Sequence, residues 1–156
     1  MWRKLSGEKI SGEILIEVEN LIRKETQNGH KLKVCIGTDS QEHKNWIDFA
    51  SVIVFVRERS GGFMLIKNTK TTDKMSIKER MITEVAKSIE IAYKLCDMLD
   101  QHGVELEVHA DINTDARFKS NTALSEAMGY IKSMGYVFKA KPDAFASSSC
   151  ADRFVN

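Results

Sequence analysis

The sequence has almost no proline: Pro142 is the only one in 156 residues. Little interrupts long helices and strands, and the single strong break falls near the C-terminus. Cysteine is scarce too. Cys35, Cys96 and Cys150 form an odd, scattered set with no C-x-x-C pair, which fits neither a disulfide framework nor a zinc site. Two of the three stand in apolar patterns and read as buried free thiols. No stretch approaches the roughly 20 apolar residues that cross a membrane. The basic start Met1-Trp2-Arg3-Lys4 has no apolar segment behind it, so a signal peptide is not expected and a cytoplasmic location is. Nor is there a surplus of charge: 23 Lys and Arg against 22 Asp and Glu leave a net +1. The strongly basic footprint of a nucleic-acid binder is therefore missing, although a local patch can hide in a neutral total. There is no repeat, low-complexity segment or linker. Residues 1–156 are expected to form one domain, with 1–30 as an N-terminal helical extension.

What is present is regular periodicity. Ile14, Val18, Leu21 and Ile22 recur at helical spacing, and Asn28-Gly29 is a stop signal, so a helix is expected over about 12–27. Residues 32–39 read as a buried strand. Residues 49–56, rich in β-branched and aromatic side chains, read as a second. Gly61-Gly62 turns the chain onto a third strand at 63–66, making an antiparallel meander. Ser76 and Glu79 have capping-box spacing for a long helix reaching about Asp100. Val104, Leu106, Val108 and Ala110 alternate as a fourth strand. A helix follows over about 116–134, then a short fifth strand at 136–140 and helical character over 144–154. The order α, βββ, αβαβα predicts an α/β protein with a mixed five-stranded sheet, three strands antiparallel and two parallel, flanked by helices.

This order gathers carboxylates. Asp39 closes the first strand and Asp111 the fourth, and these strands are expected to be neighbours with adjacent C-terminal ends. Glu84 lies on the helix between them, Asp152 on the last helix and Asp143 at its entry. Any one such Asp alone is usually a turn former or a cap. Several converging carboxylates, however, repel one another unless a cation sits among them. A hard divalent ion suits that chemistry, and a pair of such ions can drive phosphodiester hydrolysis. Glu79 rivals Glu84, but capping explains Glu79 without chemistry.

Two motifs carry a resemblance. Ile36-Gly37-Thr38-Asp39-Ser40 resembles the first-strand motif of ribonuclease H proteins, and Ala151-Asp152-Arg153-Phe154 the motif of their last helix. More closely, the chain is similar to the YkuK-type ribonuclease H-like proteins of bacteria. That likeness rests on Gly37-Thr38-Asp39-Ser40-Gln41, Glu79-Arg80 to Glu84, Ala110-Asp111-Ile112-Asn113, Lys119-Ser120-Asn121, Gly129-Tyr130 to Met134-Gly135, and Lys141-Pro142-Asp143-Ala144-Phe145-Ala146. The resemblance implies Asp39 as a bridging carboxylate, Glu84 and Asp111 as metal ligands, and Asp152 as the fourth acid with Asp143 as its competitor. It implies Mg²⁺ or Mn²⁺ as cofactor and RNA or DNA as partner, cut by a nuclease. Two departures narrow it. Gln41 stands where the exonuclease branch carries a Glu, and Ser40-Gln41-Glu42-His43 has no glycine for the phosphate turn of the ATPase branch. The competing readings are a non-catalytic module that binds nucleic acid or protein, and a hydrolase of small nucleotides.

Other residues carry weaker signals. Lys67, Lys70, Lys74, Lys78 and Arg80 fall between the third strand and the first turn of the long helix, as a phosphate-contacting patch or a solvated face. His109 shares a strand face with Asp111 and is a candidate partner of a metal ligand or a base, but a satisfied interior histidine is expected. His43 follows the Asp39 turn and is a candidate to approach substrate, but a loop histidine is expected. Trp46, Phe49, Phe63 and Tyr130 are candidates for stacking on bases, but aromatics in strands and helices are mostly core, and the core is expected for them.

Overall fold

The computed structural model describes residues 1–110, 122–140 and 142–155. In chain order these form β1 (Arg3–Lys4), α1 (Ile14–Gln27), β2 (Leu32–Glu42), β3 (Ile47–Arg57), β4 (Gly62–Thr71), α2 (Ile77–Gln101), β5 (Glu105–His109), α3 (Thr122–Ser133) and β6 (Val137–Lys139). A π-helical turn, Ala146–Ala151, and a 3₁₀ turn, Asp152–Phe154, follow. The strands make one mixed sheet in the order β1-β4-β3-β2-β5-β6. Neighbours from β1 to β2 run antiparallel, and β5 and β6 run parallel to β2.

The expected α/β class and meander hold, with four differences. The sheet has six strands, because Arg3 and Lys4 pair with Ile66 and Leu65 at the edge of β4. A two-residue strand has no alternation to read, so the N-terminal extension is strand plus helix. The other differences lie along the chain. β2 runs on to Glu42, so Asp39 lies inside the strand instead of closing it. β4 extends to Thr71, so Lys67 and Lys70 are strand residues. The last helical segment is a π turn followed by a 3₁₀ turn.

The sheet packs on both faces. On one, Val34, Ile36, Ile53, Phe55 and Leu65 meet Val18 and Ile22 of α1 and Val85, Ile89, Leu95 and Leu99 of α2. Burying each such side chain contributes on the order of 2 kcal/mol. Glu25, buried on α1, receives two hydrogen bonds from Arg57 of β3 at 2.8 and 2.9 Å, which fix that helix against the sheet. On the other face, Cys35, Val52, Val54 and Ile66 lie under Ala146 and Ala151 of the π turn. Gly37 permits that approach: a Cβ there would lie 2.4 Å from the Ala146 carbonyl carbon and the Ser147 nitrogen. Ser76 caps α2 as its spacing predicts, its hydroxyl accepting from the Glu79 N–H at 3.1 Å.

Candidate functional site

Strand alternation sorts the motif Thr38-Asp39-Ser40 onto two faces. Thr38 and Ser40 face α2. The Thr38 hydroxyl lies 2.7 Å from that of Ser88 and 2.9 Å from that of Ser51, a buried three-hydroxyl chain that locks α2 over β2 and β3. The Ser40 hydroxyl donates to Glu84 Oε1 at 2.7 Å. Asp39, between them, turns to the face of Cys35 and Gly37, and its Oδ1 accepts the Ser40 N–H at 2.8 Å. One residue thus holds both carboxylates, Asp39 by its backbone and Glu84 by its side chain. Glu84 is buried at 7% exposure, in phase with Val85, Ile89 and Ala92, while Asp39 is half-buried. The link through Ser40 was not read from the sequence. Its signal is the alternation itself, which sends the residue after Asp39 toward the helix.

The remaining acids lie differently. Asp152 is exposed at the start of the 3₁₀ turn, and Asp143 is exposed just before the π turn. Both flank the segment that packs on Gly37, two residues from Asp39 and on its face. The 3₁₀ turn is tied to β4 by Asn68, whose side chain donates to the Phe154 carbonyl at 2.9 Å and to Asp48 at 3.2 Å. Asp111 lies outside the described residues. It follows His109 by two positions, and His109 pairs with Gly37, two positions before Asp39.

A second buried polar cluster, centred on Glu107, was not anticipated. Cys35 and Glu107 are paired across β2 and β5, and the ligand atoms of Cys35, Glu107 and His109 all lie within 4.8 Å of one another. The spacing suits a metal ion, but the hydrogen bonds oppose one. His109 Nδ1 accepts the Ala146 N–H at 3.0 Å, so Nε2 carries the ring proton and donates to Glu107 at 2.9 Å. Neither nitrogen has a lone pair to spare. Lys33 and Lys139 also lie 3.3 and 3.5 Å from the other Glu107 oxygen, supplying the positive charge a cation would bring. Burial alone would push Glu107 upward, yet His109, Lys33 and Lys139 together hold its carboxyl below the usual range. Burial pushes the Cys35 thiol up to about 12, which leaves it unreactive. Burial also lowers His109, despite the opposing pull of Glu107. His109 is thus the satisfied interior histidine that was expected, and it anchors the π turn. The signal for the cluster was Glu107, a charge on an otherwise buried strand.

Among the described residues, Arg80 Nε is a buried donor with no hydrogen-bond partner. Arg80 stands one turn before Glu84 on α2, with Nη1 3.6 Å from Glu42.

A mixed sheet with a three-strand meander, two parallel strands reached through helices, and an acid on the central strand linked to an acid on the first crossover helix defines the ribonuclease H-like class. The chain belongs to the ribonuclease H-like family, whose model matches residues 13–156. Within it the chain is of the YkuK type. It is 29% identical over 158 residues to the uncharacterised protein YkuK of Bacillus subtilis (strain 168), a match covering 92% of this chain and 89% of that protein. Two solved structures were also found similar. Ribonuclease H1 from Halobacterium salinarum NRC-1 has 15% identity and a TM-score of 0.37, over 73% of this chain and 89% of that one. The N-terminal ribonuclease H domain of a Mycobacterium tuberculosis protein, solved as a fusion with maltose-binding protein, has 10% identity and a TM-score of 0.42, over 79% and 93%. Among the described residues no helix is long and apolar enough to cross a membrane.

Proposed function

We propose that the protein is a metal-dependent nuclease hydrolysing phosphodiester bonds of RNA or DNA. Asp39, Glu84, Asp111 and a fourth acid, Asp152 or Asp143, form the proposed ligand set for Mg²⁺ or Mn²⁺. The observation that supports this reading is the Ser40 bridge, which links Asp39 of β2, through the Ser40 N–H, to Glu84 of α2, through the Ser40 hydroxyl. The donor set fits such an ion. It offers hard carboxylate oxygens, with Glu84 buried and fixed and Asp39 partly open. When bound, the ion supplies charge for the phosphoryl oxygens and lowers the pKa of a water.

The chain's own residues would do the rest. Ser40 orients both carboxylates. Arg80, whose buried Nε has no acceptor among the described residues, would be satisfied by a phosphate oxygen. The net charge of +1 favours a second reading, a module that binds nucleic acid or protein without cutting.

One experiment separates them. Thermal unfolding is followed while Mg²⁺ or Mn²⁺ is titrated into the protein and into Asp39→Asn, with and without an oligonucleotide, and labelled RNA, DNA and hybrid are then tested for cleavage. A ligand of the folded state at a hundredfold excess over its Kd stabilises by about 2.7 kcal/mol. The expected result is metal stabilisation and cleavage in the wild type, both lost in Asp39→Asn. Absence of a metal response under every condition would overturn the nuclease and leave the binding module.

A further inference from the structure

Trp46 sits in the tight connection between β2 and β3, which the His43 N–H closes on the Trp46 carbonyl at 2.8 Å. It was expected in the core, yet it is 39% exposed, whereas Trp2 is 9% exposed. Its indole stacks on the His43 ring with centroids 4.8 Å apart and planes at 26°. Lys70 Nζ lies 5.6 Å from the indole centroid. The indole is thus held outside the core, stacked on one ring and with a flexible lysine side chain over it, which an incoming base would displace toward its own phosphate.

Sheet register connects this surface to the acids. Asp39, Ala50 and Asn68 form one row across β2, β3 and β4, and Gln41, Asp48 and Lys70 form the row two residues further out. A step of two keeps both rows on one face. The 3₁₀ turn reaches the inner row through Asn68, while Gln41 and Lys70 of the outer row are exposed. A polar strip therefore leads from Asp39 to the hairpin tip, over on the order of 13 Å for four residues of strand. Nearby acids are engaged: Asp48 accepts from Asn68, and Glu42 faces Arg80. Among the described residues, Lys44 and Lys70 have no carboxylate partner.

We propose that Trp46, backed by His43 and flanked by Lys44 and Lys70, is a stacking platform for a base of single-stranded nucleic acid whose backbone runs toward Asp39. A π face takes any base, and two cations suit the neighbouring phosphates. The direction toward Asp39 rests on the nuclease reading; the stacking does not, and binding can be read without cleavage.

The test uses the Asp39→Asn protein with chelator, titrated with a roughly 12-nucleotide single strand while tryptophan fluorescence is followed. Quenching is expected, because the exposed Trp46 is the fluorophore the strand would cover. Affinities of the variants are read from the anisotropy of an end-labelled strand, which does not depend on Trp46: Trp46→Ala should weaken binding roughly ten- to hundredfold, and Trp46→Phe should retain most of the affinity. The same sequence as a duplex, with its bases already stacked, should bind more weakly. Absence of quenching, or equal affinity of the Ala and Phe variants, overturns the platform. Thermal unfolding of both variants confirms that they are folded. Cleavage by the wild type with no effect of Trp46→Ala on binding would leave the nuclease standing and remove the platform. Quenching and an affinity loss without cleavage under any metal would do the reverse.

Discussion

His109 is a single side chain on which the C-terminal turn depends, and its protonation state has a readable sign. The folded ring is neutral: Nδ1 must accept from Ala146, and burial lowers the ring's pKa below the ordinary 6.5. The unfolded chain takes up a proton near 6.5 that the folded chain does not. Stability is therefore full above that pH and falls as the pH drops below it, until His109 protonates in the fold. Glu107 works in a more acidic window. Its folded pKa lies below the ordinary 4.5, so its contribution is present above 4.5 and is lost as the pH falls through the lower folded value. Urea unfolding of the wild type between about pH 5 and 8 should show the histidine step. His109→Leu should lack it, and at the alkaline end should be less stable by about 2–4 kcal/mol, since Glu107 and the Ala146 N–H both lose a partner. A step of the same size in the variant would assign it to another group.

At the scale of elements, the site depends on how closely the π turn approaches β2, and Gly37 sets that distance. In Gly37→Ala the new methyl meets backbone atoms of Ala146 and Ser147 at 2.4 Å, and backbone cannot rotate away as a flexible side chain can. The turn must lift, at a cost of about 1–3 kcal/mol, or more if the cover over Cys35 and Val52 opens. Limited proteolysis should cut the variant C-terminal to β6 faster than the wild type, and nuclease activity, if present, should fall with the displacement of Asp143 and Asp152. Equal protection of the two proteins would show that the turn has room to spare.

The same elements show what could be read in advance. The long helix was legible because Ser76, Glu79 and the Val85-Ile89-Ala92 stripe agree on one phase, and that phase also selected Glu84. The meander was legible because β3 is rich in β-branched and aromatic residues. β1 was not, since a pair of residues has no period. The Glu107 cluster was missed because a charge facing inward is intelligible only once Lys33, His109 and Lys139 surround it. Trp46 was misplaced because composition sends tryptophan inward, and only the hairpin geometry shows it turned out.

For the molecule as a whole, the net charge of +1 sets how it can hold a polyanion. A protein that binds chiefly through phosphates needs many cations on one face. Here some of the positive charge is paired within the fold: Lys33 and Lys139 with Glu107, Arg57 with Glu25 and, at the surface, Lys4 with Glu8. Along the strip leading from Asp39 to the hairpin stand Lys44 and Lys70, with Arg153 on the adjoining 3₁₀ turn and Arg80 on the α2 side. Two or three phosphate contacts to a single strand predict a log–log salt slope of about −1.5 to −2, since each contributes about −0.7. The stacking contribution should carry most of the remaining affinity and be insensitive to salt. Binding of the single strand to Asp39→Asn, measured from low to high salt, should follow that shallow slope. Trp46→Ala should lower the whole line without changing its gradient, while Lys70→Gln should flatten it by about one contact. A gradient steeper than about −4 would require at least about six phosphate contacts, more than the strip can supply. It would show that the strand is held on a surface other than this strip.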